Sequence, residues 1–218
     1  MTTDDRRRRP LQGKVDFTLM YAAHDAFRRD LRCLAAAVEA GQTADPAVRT
    51  SWATFKNQLR VHHTAEDTSL WLPLRQKVTR PEEAAVLDAM EAEHARIDPL
   101  LSQVDASLAA DGAGLAGNAQ ALAATLAAHM EHEEDQALPL IESHLGPAGW
   151  AAFRKAVGKS QGLRGGAEFF PWMLDGAPAD TSKRVLSMLP APARLLYRAV
   201  WRPGYARTPR WTTNPHSR

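Results

Sequence analysis

The stretch His62-His63-Thr64-Ala65-Glu66 decides how this chain folds. It lies in a segment whose apolar residues recur at helical spacing, and His62 and Glu66 fall on the same face as those residues. A buried carboxylate without a partner is unfavourable. Side chains four residues apart on a helix lie about 5–6 Å apart, close enough to bind one metal ion. The stretch therefore predicts a buried helix that contributes ligands to a cation.

The same spacing occurs again at His129 and Glu133, on the apolar face of a later helical segment. Two further segments each carry one histidine, His24 and His94, among apolar residues at helical spacing. The predicted inward-facing ligands are His24, His62, Glu66, His94, His129 and Glu133. Facing helices of a bundle can hold two metal ions with such a set, and imidazole suits iron, zinc and copper.

Four long segments with helical periodicity predict an all-α fold, an antiparallel four-helix bundle. They begin near residues 15, 46, 81 and 115, and Gly41, the stretch 111–114 and Gly146 separate or end them. Proline inside a helix removes a backbone donor and clashes with the preceding turn. We therefore expect bends at Pro73, Pro99 and Pro139.

Charge and composition divide the chain into three predicted parts. These are a basic N-terminal tail (1–14), the four-helix bundle (15–146), and a basic helical extension interrupted by Pro and Gly (147–218). Residues 1–150 carry 15 Lys and Arg against 22 Asp and Glu, whereas residues 151–218 carry 12 against 3. We interpret the extension as packed on the acidic bundle, with its apolar stretch 169–174 buried there. Contact with nucleic acid, an acidic partner or a membrane surface is the alternative.

Several classes of protein are excluded by the sequence. A single cysteine, Cys33, allows no intrachain disulfide framework. No apolar run approaches the roughly 20 residues that span a bilayer. No apolar segment follows the arginines at residues 6–9, which predicts a basic tail and not a signal peptide. We therefore expect a cytoplasmic protein without a transmembrane segment.

With these residues the chain resembles the hemerythrin-like family of non-heme diiron proteins, over about residues 15–146. The matching stretches, in the family's order, are HDAFRRDL (24–31), HHTAEDTSLW (62–71), EHARID (93–98) and HMEHEEDQALPL (129–140). The resemblance implies two iron ions, bridged by an oxygen atom or by the carboxylates of Glu66 and Glu133. Zinc and manganese are alternatives to iron.

The chain departs from the oxygen-carrying hemerythrins, which use five histidines and two carboxylates. Their fifth histidine lies one turn after the third-helix histidine, where this chain has Asp98. Their last carboxylate would be Glu134, whereas the H-x-x-x-E spacing of a similar bacterial subgroup points to Glu133. Asp98 and Glu134 are therefore second-rank candidates, as ligands or as neighbouring acid–base groups. His63 and Asp67 are also four residues apart. They are second-rank candidates, as the alternative pair of ligands if the helix turns them inward in place of His62 and Glu66.

The resemblance to that subgroup implies a protein that binds or reacts with peroxide, O₂ or nitric oxide, as in oxidative stress. Catalase-like activity is one form of this function. The alternative is a non-catalytic module that senses or stores iron, oxygen or nitric oxide and signals through its C-terminal extension. A third interpretation is a metal-free bundle whose histidines hydrogen-bond to one another.

Overall fold

The structure is a computed structural model that describes residues 13–110 and 112–211. Most of the predicted N-terminal tail, residues 1–12, lies outside this part of the chain. The described residues form helices joined by short turns, and none of them forms a strand. The prediction of an all-α helical bundle is confirmed.

The helices follow one another with few residues between them. The α-helices are α1 (Thr18–Glu39), α2 (Pro46–Glu66), α3 (Leu72–Arg75), α4 (Pro81–Ala109), α5 (Leu115–His132), α6 (Leu138–Leu140), α7 (Gly146–Leu174), α8 (Ala179–Ser187), α9 (Ala191–Leu196) and α10 (Arg202–Ala206). Four π-helical segments interrupt them: π1 (Asp67–Trp71), π2 (Glu133–Ala137), π3 (Ile141–Leu145) and π4 (Tyr197–Trp201).

The helix boundaries follow from local chemistry. Asp45 caps α2, since its side chain accepts a 2.8 Å hydrogen bond from the backbone N–H of Ala47, and Pro46 occupies the first turn. Helix α4 begins at Pro81 with acidic residues in its first turn, where they interact favourably with the helix dipole. Gly114 precedes α5 with a φ of 71°, a left-handed conformation that glycine adopts without strain.

Helices α1, α2, α4 and α5 form the bundle around two apolar layers. Helix α1 packs on α2 and α5, and α4 packs on the same two helices. One layer contains Phe27, and the other contains Met20. Along α1 the chain runs from the Met20 layer to the Phe27 layer. Along α2 it runs in the opposite direction, from Leu59 in the Phe27 layer to the residues after Glu66 in the Met20 layer. Successive helices therefore run antiparallel.

Pro73 and Pro139 each lie in a Leu-Pro-Leu stretch, at 72–74 and 138–140. A π-helical segment comes directly before each stretch. A wider turn accommodates a proline ring that would otherwise clash with the carbonyl four residues before it. Each helix thereby continues past its proline, and Leu70 and Leu74 remain fully buried. Helix α4 likewise continues through Pro99.

Trp172 of the C-terminal extension packs on α1. Trp172 is 1% exposed, and its Nε1–H donates a 2.7 Å hydrogen bond to Oδ2 of the buried Asp30. Arg29 donates to the carbonyl oxygens of Trp172 and Asp175, at 2.8 and 2.6 Å. Arg184 forms a 3.0 Å ion pair with Asp16. The apolar stretch 169–174 thus joins the Phe27 layer.

Among the described residues, no helix combines the length and the apolar character that crossing a membrane requires.

Replacing Trp172 with Phe should lower the free energy of unfolding by about 1–3 kcal/mol, because the buried Asp30 carboxylate loses a hydrogen-bond donor. Trp71 is a matched control, since it is also buried but its Nε1 has no hydrogen-bond partner among the described residues. Urea denaturation should show a smaller loss for Trp71→Phe. Equal losses for the two variants would contradict this assignment of the docking contact.

Candidate metal centre

A band of polar side chains crosses the bundle between the two apolar layers. It consists of His24 from α1, His62, His63 and Glu66 from α2, His94 from α4, and His129 and Glu133 from α5 and π2. Within the described residues these side chains form two groups. Inside each group, one potential ligand atom from every residue lies within 4.8 Å of those of the others. Each group combines residue types that bind transition metals.

The first group brings together His24, His62, Glu66 and Glu133. The Nε2 atoms of His24 and His62 are 3.2 Å apart. Oε1 of Glu66 lies 3.0 Å from Nε2 of His62, and Oε2 of Glu133 lies 3.2 Å from Nε2 of His24. These separations are those expected between ligand atoms that surround one ion at metal–ligand distances of about 2.0–2.2 Å.

The second group consists of three histidines, His63, His94 and His129. The Nε2 atoms of His94 and His129 are 3.2 Å apart, and the ring of His63 stacks on that of His94 with centroids 3.9 Å apart. Oε2 of Glu66 lies 3.7 Å from Nε2 of His94. Glu66 therefore faces one group with each of its oxygens and lies between them.

The two carboxylates at the centre of the band lack hydrogen-bond donors. Glu66 and Glu133 are both 0% exposed, and none of their four oxygens accepts a hydrogen bond from a described residue. Buried carboxylates in proteins are almost always paired or bound to a metal, because an isolated buried charge is very unfavourable. The donor set around them, neutral nitrogen and carboxylate oxygen, fits divalent or trivalent transition-metal ions.

Three outer carboxylates determine which nitrogen of each imidazole faces the band. The Nδ1 atom of His24 lies 2.7 Å from Glu134, that of His94 lies 2.9 Å from Asp67, and that of His129 lies 3.0 Å from Glu93. Each Nδ1–H donates to its carboxylate, which leaves the Nε2 lone pair directed at the band. Such carboxylate–histidine pairs are the usual surroundings of a metal-bound histidine.

Burial keeps two of the imidazoles neutral. Desolvation lowers the pKa of His62 to about 3, with repulsion from His24 adding to the shift. Desolvation also holds the pKa of His63 well below its usual value. A neutral imidazole has the free lone pair that a metal requires.

Burial shifts the pKa of Glu66 in the opposite direction to those of His62 and His63. Desolvation raises the pKa of Glu66 well above its usual value, and repulsion from Glu133 raises it further. A cation between the two carboxylates would reverse both effects, since it would stabilise their charged forms.

The structure brings all six first-rank residues into the band. Of the second-rank residues, His63 belongs to the second group, while Asp67 and Glu134 bind histidine Nδ1 atoms. Asp98 is exposed on α4 and belongs to neither group. The sequence interpretation missed Glu93, whose carboxylate also accepts from His132 at 2.9 Å. Its only signal in the sequence is its position next to His94. The ligand roles of all these residues stay predictions.

Comparison with known proteins gives a family for the bundle. The hemerythrin HHE cation binding domain matches residues 15–141, which is more than half of the chain. The matched residues include both groups and end before α7, so the extension lies beyond the match. No curated protein and no solved structure matches the chain significantly.

Glu66→Gln should make the metal-free protein more stable than the wild type at mildly alkaline pH. A carboxyl whose pKa is higher in the folded state binds more protons when folded, so its contribution to stability falls as pH rises above the usual value of 4.5. Urea denaturation of chelator-treated protein across this range should show the variant's advantage growing with pH. Glu91→Gln, at an exposed position on α4, is the control and should give no such trend. A wild type that gains stability relative to Glu66→Gln as pH rises would contradict the assignment.

Proposed function

The chain belongs to the hemerythrin HHE cation-binding family, and on this premise we propose that it is a non-heme diiron protein that reacts with small oxidants. Hydrogen peroxide is the first candidate among these oxidants, and O₂ and nitric oxide are the others. Catalase-like dismutation of peroxide is the specific activity that we propose. The residues named below are proposed ligands, and each rests on the geometry of the polar band.

The observation that carries the proposal is the pair of buried carboxylates without donors. Glu66 and Glu133 face imidazole nitrogens at 3.0–3.7 Å, but these contacts lack hydrogen-bond geometry. Such converging atoms repel one another unless a cation or a proton lies between them. In the metal-free protein, desolvation opposes the charged form of His24, but attraction to Glu133 and Glu134 outweighs it and raises the pKa of His24 to about 9, so a proton there competes with a metal ion. Two cations would remove the desolvation cost of both carboxylates and the repulsion between them.

The two groups of the band support two binding positions for iron. His24 and His62 would hold one ion together with Glu66 and Glu133. The three histidines of the second group would hold the other ion, with the second oxygen of Glu66. Five imidazoles and two carboxylates leave coordination positions for water or a small oxidant, since each iron accepts up to about six ligands.

His63 changes the count of imidazoles relative to the sequence interpretation. In the sequence, Asp98 occupies the position of the fifth histidine of the oxygen-carrying hemerythrins, one turn after His94 on α4. In the fold, His63 of α2 lies against His94 and His129 with its Nε2 buried and without a hydrogen-bond partner among the described residues. We propose that a fifth imidazole is supplied from a different helix.

Iron bound in this band would supply a redox couple that can both oxidise and reduce peroxide. The protein's own residues would bind and orient that couple. Glu134, Asp67 and Glu93 hold the Nδ1 protons of three imidazoles and so make the opposite nitrogens more basic. Arg28 pairs with Glu134 at 2.8 Å and keeps this outer carboxylate charged. The apolar layers on both sides exclude bulk water from the band.

The second candidate is a non-catalytic sensing or storage module. It is favoured by the contact between α1, which carries His24, and the extension, through Asp30 and Trp172. A change in metal state that moved α1 would move this contact. The sensing function predicts a reversible spectral response to oxidants without sustained turnover.

Glu93→Ala should lower iron affinity by about 10–100-fold, because His129 loses the carboxylate that orients it. Glu91→Ala, two residues earlier on α4 at an exposed position, is the matched control and should keep full affinity. Competition with a chromophoric chelator measures both, and the wild type should retain about two iron ions per chain. Equal affinity in the two variants would mean that the outer carboxylate plays no part in iron binding.

The iron-loaded protein should evolve oxygen from peroxide faster than the same concentration of free iron, as measured with an oxygen electrode. Glu133→Ala should lower this rate by at least about tenfold, because it removes one of the two central carboxylates. His144→Ala is the control, since His144 lies outside the band and pairs with Glu83. Oxygen evolution no faster than that of free iron would overturn the proposed catalase-like activity.

A further inference from the structure

Helices α9 and α10 and the π4 segment between them form one continuous helix over residues 191–206. On its inner face Tyr197 belongs to the buried core, and Trp201 packs against that core. Ala193 and Trp201 also line a cavity of about 770 Å³ between the extension and the bundle, which reaches His62 of the polar band. The inner face of this helix therefore has its packing partners within the chain.

The outer face of the same helix is apolar and open to solvent. Leu195 is 68% exposed, Leu196 is 39% exposed and Val200 is 56% exposed. Residues three and four apart share a helix face, so these side chains and the exposed Ala199 form one aliphatic patch. Single apolar residues on a surface are ordinary, whereas a cluster of them marks a contact site.

Arginines border the aliphatic patch along one edge. Arg194, Arg198 and Arg202 follow one another at intervals of four residues, so they form a row beside Leu195 and Ala199. None of the three arginines forms an ion pair with a residue that the structure describes. Like charges at this spacing repel one another, and an anionic surface next to the row would relieve that repulsion.

The surrounding charge has the same sign as this row. Residues 181–218 contain eight Lys and Arg and no Asp or Glu, whereas residues 1–150 carry an excess of Asp and Glu. A negatively charged surface would attract the C-terminal end of the chain and repel the acidic bundle. The field of the whole protein would therefore turn the helix over residues 191–206 toward such a surface.

The combination of aliphatic and cationic side chains favours a lipid surface over other anions. Basic amphipathic helices bind bilayers by burying apolar side chains below the headgroups, while their arginines stay among the phosphates. Nucleic acid would leave the aliphatic patch in water, because it is bound through phosphates, base edges and stacking. Stable protein interfaces bury about 800 Å² on each partner and are enriched in aromatic side chains, whereas this patch consists of four aliphatic side chains.

We propose that the outer face of residues 191–206 binds the surface of an anionic lipid bilayer. Leu195, Leu196 and Val200 enter the boundary between headgroups and acyl chains, and the arginine row binds the lipid phosphates. The helix lies in the plane of this boundary. The inference goes beyond the proposed iron chemistry and does not depend on it, because none of these residues belongs to the polar band.

Co-sedimentation of the full chain with vesicles of phosphatidylserine and phosphatidylcholine tests the proposal, and vesicles of phosphatidylcholine alone are the neutral reference. The wild type should bind the anionic vesicles at least about tenfold more tightly, and added salt should weaken this binding by screening the arginines. Replacing Arg198 and Arg202 together with Gln should lower the affinity at least about tenfold. Replacing the exposed Arg75 and Lys77 of the bundle removes the same charge and should have a much smaller effect.

Leu195→Gln separates a lipid surface from other anionic partners. The variant keeps every charge, and it should bind the anionic vesicles about tenfold more weakly because it removes an apolar side chain from the membrane boundary. Leu72→Gln, at a leucine of the bundle that is 56% exposed, is the matched control and should bind as the wild type does. The arginines at residues 6–9 are present in every variant, so these losses assign the binding to the helix over residues 191–206.

Three results would overturn the proposal. Equal binding of the wild type to anionic and neutral vesicles, or binding to neither, would exclude recognition of an anionic bilayer. Unchanged vesicle binding by Leu195→Gln, with tighter binding of a DNA duplex than of vesicles, would indicate a nucleic-acid contact. A wild type that is dimeric by light scattering and becomes monomeric as Leu195→Gln would show that a second copy of the chain covers the patch.

Discussion

The burial of two carboxylates side by side, without hydrogen-bond donors, is the constraint on which the rest of the structure depends. Glu66 and Glu133 are fully enclosed, and desolvation together with repulsion from Glu133 raises the pKa of Glu66 well above its usual value. Natural proteins rarely contain such a pair, because the free-energy cost of desolvating the charges exceeds the stabilisation gained from packing around them. The surrounding imidazoles, helix directions and outer carboxylates are best understood as the means of holding positive charge at this point.

The two apolar layers enclose this polar band on both sides. Phe27 and Met20 lie one turn to either side of His24, and comparable residues flank the histidines of the other bundle helices. The π-helical segments that begin directly after Glu66 and at Glu133 let α2 and α5 continue through a proline without losing their buried faces. Single π-helical turns inside α-helices occur frequently at functional sites.

Much of the fold and of the candidate site could be predicted because both depend on periodicity within single helices. The breaks between helices, the antiparallel bundle and the inward position of His62 and Glu66 all follow from residues close in sequence. The sequence ranks His63 second because it lies beside Lys56 and Arg60, on a more polar face of the predicted helix. In the fold, α2 lies between two neighbours, so His62 faces His24 while His63 faces His94. The partners of Glu93 and Trp172 depend on how helices align with one another, which no local pattern encodes.

His62 belongs to the polar band and also to the wall of the cavity beside it. A side chain shared in this way couples two binding equilibria, and such coupling is reciprocal by thermodynamic necessity. If a small molecule in that cavity makes the imidazole a better ligand, a metal ion in the band must strengthen the binding of that molecule by the same factor. The protein would then load its metal according to the small molecules around it, with one histidine ring as the point of communication.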